Sequence, residues 1–315
     1  MNTPTRVAGF LLGLGAVFGV ALGVGQAVGP TSDSASDTAD AAHGHQEDST
    51  AAADTREDVP GGLMVSQNGY TFSLDDRQAE PGRDVGISFT IDGPTGKPVT
   101  EYDVEHEKRL HLIAVRRDFT GFQHVHPELG PDGVWTTQLD LSAGQWRLFA
   151  DFKPADAEAL TLGADLAVDG DYQPEAPAGE SRTAHVDGYT VTVDGDLTAG
   201  KDAKLTLDVS RDGKPVTDLQ PYLGAYGHLV ALRSGDLAYL HVHPDGTPGD
   251  GKTQPGPEVV FYAAVPSAGT YHLYLDFQHD GVVRTAAFTV STGKAAPAAK
   301  AEKDEKEESS DDHGH

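Results

Sequence analysis

Six histidines stand at matched positions in two halves of the chain. They are His111, His124 and His126 in the first half, and His228, His241 and His243 in the second. In each half the first histidine is followed, after twelve intervening residues, by His-Val-His-Pro. Imidazole nitrogen is a natural donor for Cu(II) and Zn(II). Alternate residues of a strand share a face, roughly 6–7 Å apart, so each His-Val-His pair can converge on one ion. His111 sits in the preceding apolar segment 110–115, and His228 stands directly before the apolar segment 229–232. A hairpin between the two strands brings the third imidazole alongside, and both 117–121 (Arg-Asp-Phe-Thr-Gly) and 234–236 (Ser-Gly-Asp) are good turns. Asp151 and Asp276 occupy matching positions on a nearby strand, as fourth ligands or as carboxylates that orient a histidine through its second nitrogen.

The expectation is one Cu(II) or Zn(II) site per copy, held by His111, His124 and His126 and by His228, His241 and His243. The affinity order for nitrogen ligands favours copper. Two other arrangements fit the same residues. A duplication copies structural histidines, hydrogen-bonded to loop carbonyls, as faithfully as it copies ligands. A site can also form between the two copies rather than within each. His106 and His185 read as solvated loop residues. His272 and His279 flank Asp276 in the second copy alone, and are expected to strengthen metal binding there.

The elements that must carry these side chains come from an internal repeat. Asn68-Gly69-Tyr70-Thr71-Phe72 stands beside Asp187-Gly188-Tyr189-Thr190-Val191, each a turn followed by an alternating strand. Gly96-Lys97-Pro98-Val99-Thr100 recurs unchanged as Gly213-Lys214-Pro215-Val216-Thr217. Ser142-Ala143-Gly144-Gln145-Trp146 and its continuation to Phe152 match Ser267-Ala268-Gly269-Thr270-Tyr271 and its continuation to Phe277. No segment inside the repeats keeps a 3.6-residue period over helical length. Short alternating runs broken by Gly, Pro, Asp and Asn predict an all-β protein of two tandem immunoglobulin-like antiparallel sandwiches, 66–169 and 185–292, joined by a hinge at 170–184. Trp146, Leu148, Ala150 and Phe152, and Tyr271, Leu273, Leu275 and Phe277, are expected to face the cores.

The flanks differ in kind. Residues 29–65 and 293–315 are polar and acidic and read as disordered, and each carries a His-Gly-His triplet, at 43–45 and at 313–315. Residues 7–28 carry no charge. That run suits a membrane-spanning helix, with Gly15, Gly19 and Gly23 spaced for close packing. It suits equally a signal peptide cleaved after Gly25-Gln26-Ala27. Both readings put the body outside the cytoplasm, anchored to the membrane or secreted, since Arg6 precedes the run.

Composition narrows the function. The formal net charge is -26, from 23 Lys and Arg against 49 Asp and Glu, which argues against nucleic acid and suits cations. There is no cysteine, so disulfides, thiolate sites and thiol catalysis are excluded. The two methionines leave no basis for a thioether copper(I) site. Over residues 66–168 and 185–292 the layout resembles small envelope β-sandwich modules of copper handling, the CopC-like and YtkA-like families. The likeness lies in the architecture and the histidine-bearing strands. It implies an extracytoplasmic metal-binding or chaperone-like role. The Asp-x-His pair of CopC-like proteins has no match, because Asp276-Phe277-Gln278-His279 is one residue too long, so no ligand is carried over. Extracytoplasmic binding, buffering or delivery of a divalent metal ranks first. A metal-free structural or interaction module ranks second. A metalloenzyme ranks third, since no paired carboxylates, Ser-His-Asp set or phosphate loop accompanies the histidines.

Overall fold

The computed structural model describes residues 59–176, 179–240 and 242–293, and these form two tandem immunoglobulin-like β-sandwiches. In the first, one sheet has the strand order Ser66–Gln67, Tyr70–Leu74, Gly82–Asp92, Val134–Leu141, Glu128–Leu129. Its partner runs Gln78–Ala79, Leu160–Val168, Gly144–Phe152, Leu110–Arg116, Gln123–Val125. In the second, one sheet runs Thr183–Val186, Tyr189–Asp194, Lys201–Arg211, Glu258–Val265, Val242–Pro244, and the other Tyr239–Leu240, His228–Arg233, Thr270–His279, Val282–Ser291. Among the described residues no helix is long and apolar enough to cross a membrane. The apolar run at 7–28 and both His-Gly-His triplets lie outside the described residues.

The period-2 pattern sets the packing. Trp146, Leu148, Ala150 and Phe152 are buried in the first core with Leu110, Leu112 and Ala114, and Tyr271, Leu273, Leu275 and Phe277 are buried in the second. The opposite faces of the same strands are also buried, because the two sandwiches meet there. Ile113, Val115 and Phe149 of the first repeat join Val230, Leu232, Tyr239 and Tyr274 of the second in a separate apolar cluster. Equivalent positions meet: Phe122 stacks on Tyr274 at 4.0 Å between ring centroids, and Tyr239 meets Phe149 at 5.8 Å. The junction is thus like an isologous dimer interface within one chain.

Both connecting segments are tied down. Within 59–65, assigned from sequence to the disordered linker, the backbone is bonded to both repeats: Tyr239 N–H donates to Gly61 O at 2.9 Å, and the Arg147 guanidinium donates to Gly62 O at 2.6 Å. Gly62 has φ 73°, and a Cβ there would stand 2.3 Å from the Phe149 ring, so only glycine fits. In the hinge, Glu175 N–H donates to Asp118 Oδ2 at 3.0 Å and Tyr172 lies 5.3 Å beneath the Arg116 guanidinium.

Candidate metal centre

The histidines sit at one end of the junction. Leu110–Arg116 pairs with Gln123–Val125, so His111 and His124 come to neighbouring strands of one sheet, with His126 just beyond. The second repeat brings His228, at the start of His228–Arg233, against them. Its ring stacks on His111 at 5.4 Å with planes 10° apart and lies 4.8 Å from the His124 ring. Ligand nitrogens of His111, His124 and His228 all lie within 4.8 Å of one another. The His126 ring stands 5.0 Å from His111 and 4.9 Å from His124, and its Nε2 is buried without a hydrogen-bond partner among the described residues.

Hydrogen bonds fix which nitrogens face inward. His111 Nε2–H donates to Glu105 O at 3.1 Å, which leaves Nδ1 as its lone pair. His124 Nδ1–H donates to Asp276 Oδ2 at 2.8 Å, which leaves Nε2 as its lone pair. Those two nitrogens, His111 Nδ1 and His124 Nε2, face each other at 3.0 Å. Two acceptors at that distance need a cation between them. The cation is a shared proton or a metal ion. Two nitrogens each about 2.0–2.1 Å from one ion lie roughly 2.9 Å apart at a right angle and about 3.3 Å at a tetrahedral angle. Burial disfavours the charged form of the rings around this pair. It lowers His111 to about 3, helped by repulsion from His124, lowers His126 to about 4, and holds His228 well below the usual histidine range. At neutral pH these three rings are neutral donors.

The two aspartates behave differently. His111 faces Asp151 across one strand pair and His228 faces Asp276 across the equivalent pair. Asp276 orients His124 of the other repeat, with Thr285 Oγ1–H donating to its second oxygen at 2.5 Å. Side-chain exposure is 1% for His124 and 4% for Asp276. Asp151 accepts from Thr161 Oγ1 at 3.0 Å and lines a cavity of about 110 Å³ beside His111 and His228. Burial pushes its carboxyl up to about 6.

The second copy distributes its histidines otherwise. In the first repeat the chain keeps to one sheet through Val125 and joins the other at Glu128–Leu129. In the second it leaves the sheet of His228 after Leu240 and joins the other at Val242–Pro244. His243 is therefore exposed, opposite Tyr262 and in a different sheet from His228, while His241 lies outside the described residues. Where the sequence suggested one cluster per repeat, the described residues hold one cluster drawn from both. His272 and His279 do not join it. His272 stacks on Phe119 at 3.8 Å, and His279 bonds to Tyr189 Oη at 2.6 Å and Asp218 at 3.0 Å. His185 is exposed and bonds to Thr190 at 3.1 Å. His106, set aside as a solvated loop residue, is exposed but stands 5.6 Å from the His228 ring and 6.1 Å from that of His111.

Two stretches, 65–170 and 184–294, match a protein family described as a domain of unknown function (DUF8832). No match is found among curated proteins. Solved structures that align with this chain include the Escherichia coli adhesin FdeC, 15% identical over 72% of this chain and 65% of that one, with a TM-score of 0.23. Salmonella alpha-2-macroglobulin is 15% identical over 74% of this chain and 15% of that one, with a TM-score of 0.25. A titin Z1Z2 tandem is 12% identical over 71% of this chain and 99% of that one, with a TM-score of 0.20. The chain thus spans less than two thirds of the length of the first two.

Proposed function

This chain belongs to the DUF8832 family, carrying its domain twice, and we propose that it binds one Cu(II) or Zn(II) ion between the two copies, to buffer or deliver that ion outside the cytoplasm. The observation that carries the reading is the pair of inward lone pairs, His111 Nδ1 and His124 Nε2, 3.0 Å apart with their outer nitrogens already committed. A metal-ligating histidine characteristically donates its other N–H to a carbonyl or carboxylate, and both do so here. His228 supplies the third nitrogen. His126, with its unsatisfied Nε2, is the ready fourth. Three nitrogens plus an adaptable fourth suit Cu(II) and Zn(II), and the affinity order puts copper ahead. The excess of acidic residues favours the approach of cations. The uncharged run at 7–28 supports an extracytoplasmic body, anchored or released.

Calorimetric titration of the full chain with Zn2+ and with Cu2+ tests the reading. One ion per chain is expected, with binding lost in His124→Ala while the melting transition persists. A chain that takes up neither ion would leave the histidines as a proton-sharing structural cluster.

A further inference from the structure

Resting on that reading, we propose that His106 is the transfer ligand of the interdomain site, an exposed imidazole that takes the ion from His228 and His111 and passes it to an outside acceptor. The three nitrogens of the site are poorly placed for direct exchange. His111 is 4% exposed and the His124 side chain 1%. Beside His111 and His228 lies the cavity of about 110 Å³, room for a few waters but too small for a competing protein ligand or a chelator. His106 lines that cavity together with His111 and His228, and it is exposed to solvent. Its ring lies edge-on to both, at 6.1 Å and 5.6 Å, and it makes no hydrogen bond or ion pair among the described residues. Among the described residues it is thus the one exposed histidine whose ring meets the inner set.

The backbone sets His106 at the tip of a tight turn. Glu105 and Lys108 exchange both backbone hydrogen bonds, at 2.9 and 3.0 Å, and close a two-residue turn. The central residues, His106 with φ 47° and Glu107 with φ 67°, are both left-handed. A turn of this kind is most easily made by Asn-Gly or Gly-Gly. Here it carries two residues with full side chains, and the equivalent turn of the second repeat, closed by Tyr222 and Ala225, carries Leu223 and Gly224 in the same left-handed conformation, so the turn belongs to the fold and the imidazole at its tip to the first repeat alone. The turn is also aimed: Glu105 O accepts from His111 Nε2–H, which ties the loop to a ligand of the site.

The step is a ligand substitution. A coordinate bond from His106 forms as that from His228 breaks, and the charge of the ion does not change. A group that opens a route accelerates loading and release together, so it alters rates and leaves the equilibrium affinity nearly untouched.

The test uses the full chain loaded with Zn2+ and mixed rapidly with excess chromogenic chelator. His106→Asn keeps a residue that accepts the left-handed turn. Exposed His185→Asn is the control. For His106→Asn the expected result is an affinity within about threefold of the parent but removal at least about tenfold slower, with His185→Asn unchanged. A removal rate equal to the parent's would overturn the proposal. So would an affinity loss as large as that of His228→Ala, which would make His106 a primary ligand. A parent chain that binds no Zn2+ would instead overturn the reading beneath it, and the transfer role with it.

Discussion

His124 of the first repeat donates Nδ1–H to Asp276 of the second across 2.8 Å, and both side chains are almost wholly enclosed. One bond therefore does two things: it selects the nitrogen His124 turns inward, and it couples the site to the joining of the two sandwiches.

Asp276→Asn keeps the shape of the carboxylate but removes its charge and its fixed acceptor role. Loss of such an outer partner typically costs 10–100-fold in metal affinity. We expect a fall of that size for Cu2+ or Zn2+ by titration, together with a lowered metal-free melting temperature, because a buried bond between the two repeats is weakened. An unchanged affinity would remove Asp276 from the site.

Tyr274 holds the same junction by packing. Its ring stacks on Phe122 with planes 6° apart, and its hydroxyl donates to Phe119 O at 2.8 Å. Tyr274→Ala empties a large buried position, which costs about 3–5 kcal/mol by analogy with other aromatic truncations. Denaturant unfolding is expected to shift by that amount. Metal affinity is expected to fall too, because His228 is held against His111 by the surface that Tyr274 helps to form.

His272 supplies a pH dependence away from the metal ligands. Burial lowers it to about 4, and its Nε2 is enclosed without a hydrogen-bond partner among the described residues. In the unfolded chain the ring takes a proton near 6.5. Between those values the unfolded state binds more protons, so stability falls as pH is lowered from about 6.5 towards 4, by up to about 3 kcal/mol from this residue. His272→Phe keeps the stack on Phe119 and removes the proton site. Its stability is expected to decline less steeply over that window. A slope equal to the parent's would mean that His272 stays protonated or reaches water.

Most of the fold is legible in the sequence because duplication writes each turn and each alternating strand twice. The equivalence of Trp146 with Tyr271, and of Asp151 with Asp276, survives into equivalent strand positions. The meeting of the two repeats was legible in principle. In Leu110-His111-Leu112-Ile113-Ala114-Val115 and in Leu229-Val230-Ala231-Leu232, apolar residues occupy both alternations, the mark of a strand buried on both faces. Given that, His111 and His228 must face a partner, and the partner is the other repeat. Less legible was the fate of His243. The strand that carries it changes sheets after two residues, and nothing in the identical His-Val-His-Pro text announces a crossing that comes earlier in one copy than in the other. His106 was hidden for a similar reason, since its nearness to His228 comes from the docking of two domains and not from any local spacing.

The most direct test of the central claim is electron paramagnetic resonance of the full chain loaded with one equivalent of Cu2+. Nitrogen hyperfine coupling from at least three imidazoles is predicted, reduced by one nitrogen in His228→Ala. A spectrum that His228→Ala leaves unchanged would show that no ligand comes from the second repeat, and would contradict a site shared between the two sandwiches.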